Sequence, residues 1–264
     1  MTSSAAPAGL VARLRAAGSV FAEEEAALLV EAAEDGADLE RLAAARVAGV
    51  PVEQLVGWAA FCGLRIVVAP TVFVPRRRTE LLVRVALEEL GPAETVVDLG
   101  CGTGAIGAAL LAAEPGLDVW AVDIDPAAVA CARRNLPGER VRQGDLYDAL
   151  PGQLRGRVAL VTANAPYVPT AAIATMPPEA RDHEARIALD GGADGLDVQR
   201  RVIATAPAWL APEGRLLVET SRLQAEQTCA EMRAAGLDAD VRHDPDTDAT
   251  AAVGRGPGRT PAVV

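Results

Sequence analysis

The sequence predicts an α/β protein with a seven-stranded, mostly parallel sheet and a small helical domain before it. Two observations carry this prediction. From about residue 79 onward, apolar strand-like runs alternate with helix-like stretches, which is the signature of a parallel sheet. Residues 9–56 show helical spacing of apolar side chains and no strand pattern. A chain of 264 residues is long enough for one large domain with such an appendage.

The first predicted unit is a helical region over residues 1–60. Leu39, Leu42, Ala43 and Val47 recur at helical spacing. Asp38 is a candidate N-cap for this helix, since an aspartate before an apolar-periodic run commonly accepts the first free backbone N–H groups.

A β-hairpin is expected to link the helical region to the sheet, over residues 61–78. Two apolar runs, residues 61–68 and 72–74, flank Ala69-Pro70-Thr71. Proline between two strand-like runs is a common turn signal.

The main domain is expected over residues 79–264. Its last two strands have no helix between them, so they should pair antiparallel. The predicted helices cover residues 79–90, 105–113, 126–135 and 197–210. The predicted strands cover residues 95–99, 118–122, 140–143, 158–162, 215–219, 238–243 and 249–253.

Composition excludes several classes of function. The net charge of −11 makes nucleic acid an unlikely main partner, because phosphate-binding proteins usually carry a basic face. All 25 basic residues are arginine, which rules out a Schiff-base lysine and a lysine-bearing P-loop. No apolar run reaches the roughly 20 residues that span a bilayer, and no secretory signal is visible.

The cysteines and histidines indicate neither a disulfide framework nor a metal site. Four cysteines are scattered without a CxxC pair, and only two histidines are present. We therefore expect no metal and a reducing, cytoplasmic location.

A glycine-rich turn follows the first predicted strand, in Val96-Val-Asp-Leu-Gly-Cys-Gly-Thr-Gly-Ala-Ile-Gly107. Glycines let the backbone pass closely beneath a ligand at a helix N-terminus. Gly102 to Gly107 fits the dinucleotide pattern GxGxxG, and Asp123 lies about 20 residues further on. A nucleotide-type cofactor is therefore expected here, with Gly100, Cys101, Gly102 and Gly104 forming its loop.

Asp98 favours S-adenosylmethionine (SAM) over a dinucleotide. Asp98 ends the strand against the loop, where its carboxylate would repel a pyrophosphate. SAM has no phosphate and carries an ammonium and a sulfonium group, which a carboxylate favours. Asp98 is thus predicted to bind the cationic end of SAM.

Two further acidic positions complete the predicted cofactor site. Asp123 can accept both ribose hydroxyls, a role common to both cofactor types. Asp125, before Pro126, is the expected N-cap of the next helix. Asp145 and Leu146 follow the third strand, where they could bind the adenine amine and cover its face, although Asp145 could equally be an ordinary loop residue.

The segment Ala163-Asn-Ala-Pro-Tyr-Val-Pro169 follows a buried strand and is predicted to hold the methyl acceptor. The side-chain oxygen of Asn164 and a backbone carbonyl in Ala165-Pro166 can accept both hydrogens of an –NH₂ group. The Tyr167 ring can lie across the planar group that carries this –NH₂. Asn164, Ala165, Pro166 and Tyr167 are therefore the candidate catalytic residues, and Asn164 also belongs to the predicted cofactor site. A structural proline turn is the alternative.

Taken together, these segments resemble the NPPY-type amino-methyltransferases, and most closely the HemK/PrmC protein-(glutamine-N5) methyltransferases. The resemblance covers residues 46–254. It includes the glycine loop, residues 164–167 (Asn-Ala-Pro-Tyr, the NAPY turn), Phe73 to Val83, and His183-Glu184 leading into Leu189 to Leu196. It implies a class I (Rossmann-like) methyltransferase fold that uses SAM. It also implies methylation of the Gly-Gly-Gln glutamine of a peptide-chain release factor, with the helical region docking the protein substrate. By position, the family's SAM contacts fall on Asp98, Gly100, Gly102, Asp123, Leu146 and Asn164, and its glutamine-binding turn on residues 164–167.

The chain also departs from the family's pattern. Ala165 replaces the first proline of NPPY, Arg77 and Arg78 replace a proline and an acidic residue, and Thr220-Ser221 replaces Ile-Gly. These changes indicate a divergent member of the family, for which the acceptor need not be a release factor. Two alternatives therefore stay open: methylation of an exocyclic amine on a nucleobase or small metabolite, and SAM binding without turnover.

Overall fold

Four helices form the N-terminal part of the computed structural model, which describes residues 8–258. This helical part has a small hydrophobic core of its own, centred on Leu14, Leu29 and Leu42, whose exposed fractions are at most 3%. Its helices are α1 (Ala8–Ala16), α2 (Ala22–Ala32), α3 (Gly36–Val47) and α4 (Val52–Val56).

The N-cap of α3 is Asp35, and the prediction of Asp38 was wrong. The Asp35 carboxylate accepts a hydrogen bond of 2.8 Å from the Asp38 backbone N–H. The two aspartates are three residues apart, so Asp38 lies in the first turn, where its negative charge still favours the helix N-terminus.

A β-hairpin follows, but it lies earlier than predicted. Strand β1 (Trp58–Phe61) pairs antiparallel with β2 (Leu64–Val67). The turn is Cys62-Gly63, and both residues have positive φ angles, 48° and 74°, as a two-residue type I′ turn requires. Residues 72–74 are not a strand. They form an extended loop whose side chains at 72 and 74 are buried, which explains their strand-like composition.

A seven-stranded sheet forms the main domain, as the sequence predicts. Its order is β5-β4-β3-β6-β7-β9-β8. Strands β3 to β7 run parallel, and β9 is antiparallel to both of its neighbours, which confirms the predicted reversal of the last strand. The strands are β3 (Thr95–Leu99), β4 (Asp118–Asp123), β5 (Val141–Gln143), β6 (Val158–Ala163), β7 (Leu210–Glu219), β8 (Asp238–Asp244) and β9 (Ala249–Arg255).

Helices cover both faces of this sheet. One face packs Val97 and Leu99 of β3 with Ile203 and Met232, which belong to the ninth and tenth helices. On the opposite face, Val96 of β3 packs against the fifth and sixth helices. No helix of the described residues is long and apolar enough to cross a membrane. The helices are α5 (Glu80–Glu89), α6 (Ala105–Ala113), α7 (Pro126–Ala132), α8 (Pro178–His183), α9 (Asp197–Thr205) and α10 (Ala225–Ala234).

The strand order places a topological switch point between β3 and β6. From β3 the chain builds outward through β4 and β5, and then returns to place β6 on the other side of β3. Ligands of such sheets bind beyond the carboxyl ends of the strands at this point. The loops after β3 and β6 therefore meet.

A buried carboxylate lies within this strand pair. Asp98 is fully buried and pairs in register with Thr162, whose hydroxyl donates a hydrogen bond of 3.0 Å to Oδ1. Within the described residues, Oδ2 has no hydrogen-bond partner. Burial raises the Asp98 pKa from 3.8 to about 7, although the Thr162 hydrogen bond acts to lower it.

Because the pKa of Asp98 is raised in the folded state, we expect the free energy of unfolding of the ligand-free protein to fall as the pH rises. Between about pH 4 and 7 the folded protein holds a proton on Asp98 that the unfolded chain has lost, so the free energy of unfolding decreases over that window. From about pH 5 to pH 8 the ligand-free protein should lose on the order of 2 kcal/mol through this group. Denaturant unfolding of Asp98→Asn at both pH values should show a correspondingly smaller change. Equal pH dependence in the two proteins would refute the assignment.

Candidate active site

The loop between β3 and α6 has the backbone geometry that only glycine adopts easily. Gly100, Gly102 and Gly104 have φ angles of 65°, 54° and 77°. A Cβ atom at Gly100 or Gly102 would meet nothing within 4 Å, so open space lies in front of both. At Gly104 it would lie 2.8 Å from Leu136 Cδ1. The first two glycines therefore face a ligand space, and the third allows α6 to pack closely.

A cavity of about 460 Å³ opens at this edge of the sheet. It has the size typical of small-molecule sites, 300–1,000 Å³. Loops after β3, β4, β5 and β6 line it together with residues 72–79 and the segment around α8. Ten of the sequence-predicted residues line it: Gly100, Cys101, Gly102, Asp123, Asp145, Leu146, Asn164, Ala165, Pro166 and Tyr167.

Asp98 and Gly104 are not among the residues that line the cavity. Side chains alternate along β3, so Asp98 points towards the α6 side of the sheet, as Val96 does. Leu136 packs against Gly104 and occupies the space that a side chain at position 104 would need. Both positions adjoin the glycine loop, and their binding to the cofactor stays a prediction.

Backbone hydrogen bonds fix the orientation of Asp123. Gly102 N–H donates to Oδ2 at 2.8 Å, and Asp125 N–H donates to Oδ1 at 2.9 Å. Burial raises the Asp123 pKa, and these backbone hydrogen bonds lower it. Asp125 caps α7 by accepting from Ala127 N–H at 2.8 Å, as predicted. Asp123 is thus held at the cavity wall next to the glycine loop.

Asp145 and Leu146, which follow β5, also line the cavity. Asp145 Oδ2 accepts a hydrogen bond of 2.6 Å from Arg201 of α9, a partner that the sequence analysis missed. Leu146 has a φ of 49°, in the region that favours glycine. Such strain at a non-glycine residue is typical of ligand sites.

Asn164 is oriented by a residue that the sequence analysis also missed. Its Nδ2 donates a hydrogen bond of 3.2 Å to Oγ1 of Thr79, a buried residue before α5. Within the described residues, neither the Asn164 Oδ1 nor the Ala165 backbone carbonyl accepts a hydrogen bond. Both residues line the cavity, and both oxygens have unused acceptor capacity.

Tyr167 is held at its hydroxyl by Glu219, the last residue of β7. The hydroxyl and Arg78 Nε each approach Glu219 Oε1 to 3.2 Å. Burial, followed by the charge of Glu219, raises the Tyr167 pKa, so the phenol remains neutral and donates this hydrogen bond. The Arg78 guanidinium carbon lies 5.8 Å from the ring centroid.

A glycine-rich segment, residues 189–196, packs directly on the NAPY turn. Gly191 N–H donates to the Val168 carbonyl at 2.9 Å. A Cβ at Gly195 would lie 2.3 Å from the Tyr167 carbonyl oxygen. Gln224 Nε2 donates to that same carbonyl at 3.1 Å and to the Asp194 carbonyl at 3.0 Å. The turn is therefore held from behind at several backbone atoms.

The arginine run at residues 76–78 is not simply a solvated stretch of charge. Arg76 Nη2 donates to Glu184 Oε1 at 2.6 Å, and Val74 N–H donates to the same oxygen at 3.0 Å. Burial raises the Glu184 pKa, and Arg76 opposes that shift. Arg76 and Arg78 thus each bind a buried carboxylate next to the cavity, while Arg77 is exposed.

Comparison with known proteins assigns the fold and the family. A family model described as methyltransferase small domain matches residues 64–179. A solved structure of a methyltransferase from Pyrococcus furiosus superposes with a TM-score of 0.56 at 16% identity, covering 74% of this chain and 90% of that one. At this identity the likeness concerns the fold alone.

Two curated relatives are much closer in sequence. The chain is 42% identical over 189 residues to the release factor glutamine methyltransferase of Geobacter sulfurreducens, a match that covers 70% of this chain and 66% of the relative. It is 41% identical over 221 residues to that of Cereibacter sphaeroides, covering 81% and 77%. The fold is that of a class I SAM-dependent methyltransferase, and the chain belongs to the release factor glutamine methyltransferase family.

Proposed function

We propose that this protein transfers a methyl group from SAM to the side-chain amide nitrogen of a glutamine in a protein substrate, with a peptide-chain release factor as the leading candidate. The observation that carries this is the pair of available acceptors, Asn164 Oδ1 and the Ala165 carbonyl, on the cavity that the glycine loop also lines. A primary amide offers two N–H groups to such a pair.

The cavity residues fit SAM. Open space in front of Gly100 and Gly102 would receive the methionine part, and the Asp123 carboxylate, fixed beside the loop, would accept the ribose hydroxyls. Leu146 and Asp145 would contact the adenine. When bound, SAM supplies an electrophilic methyl carbon on a sulfonium, whose sulfur keeps the bonding pair as S-adenosylhomocysteine is released.

The NAPY turn prepares the acceptor nitrogen for attack. An amide nitrogen is a weak nucleophile because its lone pair is delocalised into the carbonyl. Hydrogen bonds from its two N–H groups to Asn164 and Ala165 favour a tetrahedral nitrogen, which returns the lone pair to it. Tyr167, held by Glu219, would stack on the amide plane and keep the nitrogen aligned.

Alignment supplies most of the rate enhancement in this scheme. Well-oriented reacting groups gain up to roughly 7–11 kcal/mol relative to freely diffusing ones. The nitrogen forms its new bond to carbon and then loses one of its two protons to water, so no strong base is needed beforehand.

We infer further that residues 1–60 dock the protein substrate and that residues 61–78 link them to the methyltransferase domain, residues 79–264. Arg46 of α3 supports this because it donates to Glu179 of α8 at 2.6 Å, which ties the helical region to the cavity rim. The four cysteines are all free thiols, which fits a reducing, cytoplasmic setting.

The proposed function predicts methylation of a glutamine peptide. With labelled SAM, a peptide containing Gly-Gly-Gln should gain one methyl group, while the matched Gly-Gly-Asn peptide and nucleic acid should gain none. The shorter asparagine side chain cannot bring its amide to the same acceptors. Transfer to nucleic acid instead would support the nucleobase alternative. SAM binding without transfer to any acceptor would support a non-catalytic role.

Two substitutions should separate acceptor binding from SAM binding. Asn164→Ala should lower transfer to the peptide by about a hundredfold, because the amide loses its alignment, and should keep SAM affinity within several-fold. Asp123→Ala should weaken SAM binding about tenfold or more, through loss of charge-assisted hydrogen bonds. Isothermal titration with SAM and single-turnover methylation measure the two effects. Equal loss of both properties in Asn164→Ala would contradict the acceptor role.

Thr79 should act through Asn164. Without the Thr79 hydroxyl, the Asn164 amide can rotate and present Nδ2 to the substrate in place of Oδ1. Thr79→Val should therefore lower kcat about five- to tenfold, the effect of one neutral hydrogen bond, with SAM affinity unchanged. Thr79→Ser keeps the hydroxyl and should retain near-normal kcat. A kcat loss of the same size in both variants would refute the positioning role.

A further inference from the structure

An ion pair between Arg78 and Glu219 lies on the side of the cavity away from the glycine loop. Glu219 ends β7, and β7 is separated from β3 by β6. The Arg78–Glu219 ion pair therefore lies on the β7 side of Asn164, in contact with Tyr167. The SAM-binding loops follow β3, β4 and β5, on the other side.

Arg78 is fixed at one nitrogen and available at the others. Its Nε donates to Glu219 Oε1, and its guanidinium lies over the Tyr167 ring. Among the described residues, no hydrogen bond uses its two Nη groups. The Arg78 side chain is 45% exposed and lines the cavity, whereas the Glu219 side chain is 3% exposed. A fixed fork of donors therefore faces the space where a substrate peptide would lie.

Two more arginines are close to this ion pair in the sequence. Arg77 precedes Arg78 directly, and Arg222 follows Glu219 by three residues. Both are exposed, and within residues 8–258 neither side chain takes part in an ion pair or hydrogen bond. Glu219 therefore forms an ion pair with only one of the three arginines in these two short segments.

We propose that Arg78, supported by Arg77 and Arg222, binds a carboxylate on a residue flanking the methylated glutamine, so that the protein prefers acidic substrate segments. The proposal rests on the proposed function for the position of the glutamine. Arginine presents N–H groups in a planar fork that matches both oxygens of a carboxylate. Holding Nε on Glu219 reduces the side-chain entropy that this contact costs.

The test measures peptide binding, which does not depend on turnover. Three labelled peptides share a Gly-Gly-Gln core and differ only in flanking residues, which are Glu, Gln or Lys. Fluorescence anisotropy gives the Kd of each in the presence of S-adenosylhomocysteine, for the full chain and for Arg78→Gln. Arg134→Gln is the matched control, because Arg134 is exposed, lies just after α7 and is not part of the cavity lining.

The wild-type protein should bind the Glu peptide about tenfold more tightly than the Lys peptide, as expected for one charge-assisted contact. Arg78→Gln should reduce this ratio to about twofold or less, and Arg134→Gln should leave it unchanged. The affinity for S-adenosylhomocysteine should stay the same in all three proteins.

Several results would overturn the proposal. A wild-type protein without preference for the Glu peptide, or without binding to any of the three, excludes a carboxylate site. Equal weakening of all peptides in Arg78→Gln shows that Arg78 acts only by holding Tyr167. Parallel loss of S-adenosylhomocysteine affinity shows that it serves the cofactor. Arg78-dependent binding of the Glu peptide without methylation of any peptide would leave this inference standing and refute the proposed function.

Discussion

The parallel pairing of β3 with β6 is the constraint on which the site depends. Residues 96–99 pair with residues 160–163, so the glycine loop and the NAPY turn leave the sheet side by side. About 60 residues of chain separate these strands, yet their loops share one cavity. A slip of one residue in this register would turn every side chain of β6 to the other face. The Asp98–Thr162 hydrogen bond, buried within the pair, favours the observed register.

Most of the sheet could be predicted because its central strands are buried on both faces. Such strands appear as short apolar runs, and all seven were located to within a few residues apart from β7, which begins five residues earlier than predicted. The hairpin was misplaced because Pro70 looks like a turn and the buried residues 72–74 look like a strand. The actual turn, Cys62-Gly63, carries little signal beyond its glycine.

The residues facing the cavity were also largely predictable, but their partners were not. Glycines and acidic residues at strand ends stand out by type and position. Thr79, Arg201 and Glu219 act through contacts with residues that lie 85, 56 and 52 positions away in the chain. No local pattern records such pairs. Asp98 was likewise found from its position at a strand end, whereas its partner Thr162, 64 positions away, was not.

The replacement of proline by Ala165 can be understood from what surrounds the turn. Proline would restrict the backbone directly, and alanine does not. Here Ala165 is 2% exposed, Gln224 binds the Tyr167 carbonyl, and Gly191 binds the Val168 carbonyl. The hydrogen bonds hold the backbone after Pro166, and close packing around Ala165 holds it before Pro166, in place of the missing ring. Since methyl transfer to an amide depends on the direction of attack and not on a strong base, a turn held by its neighbours can do the same chemistry as one held by two prolines.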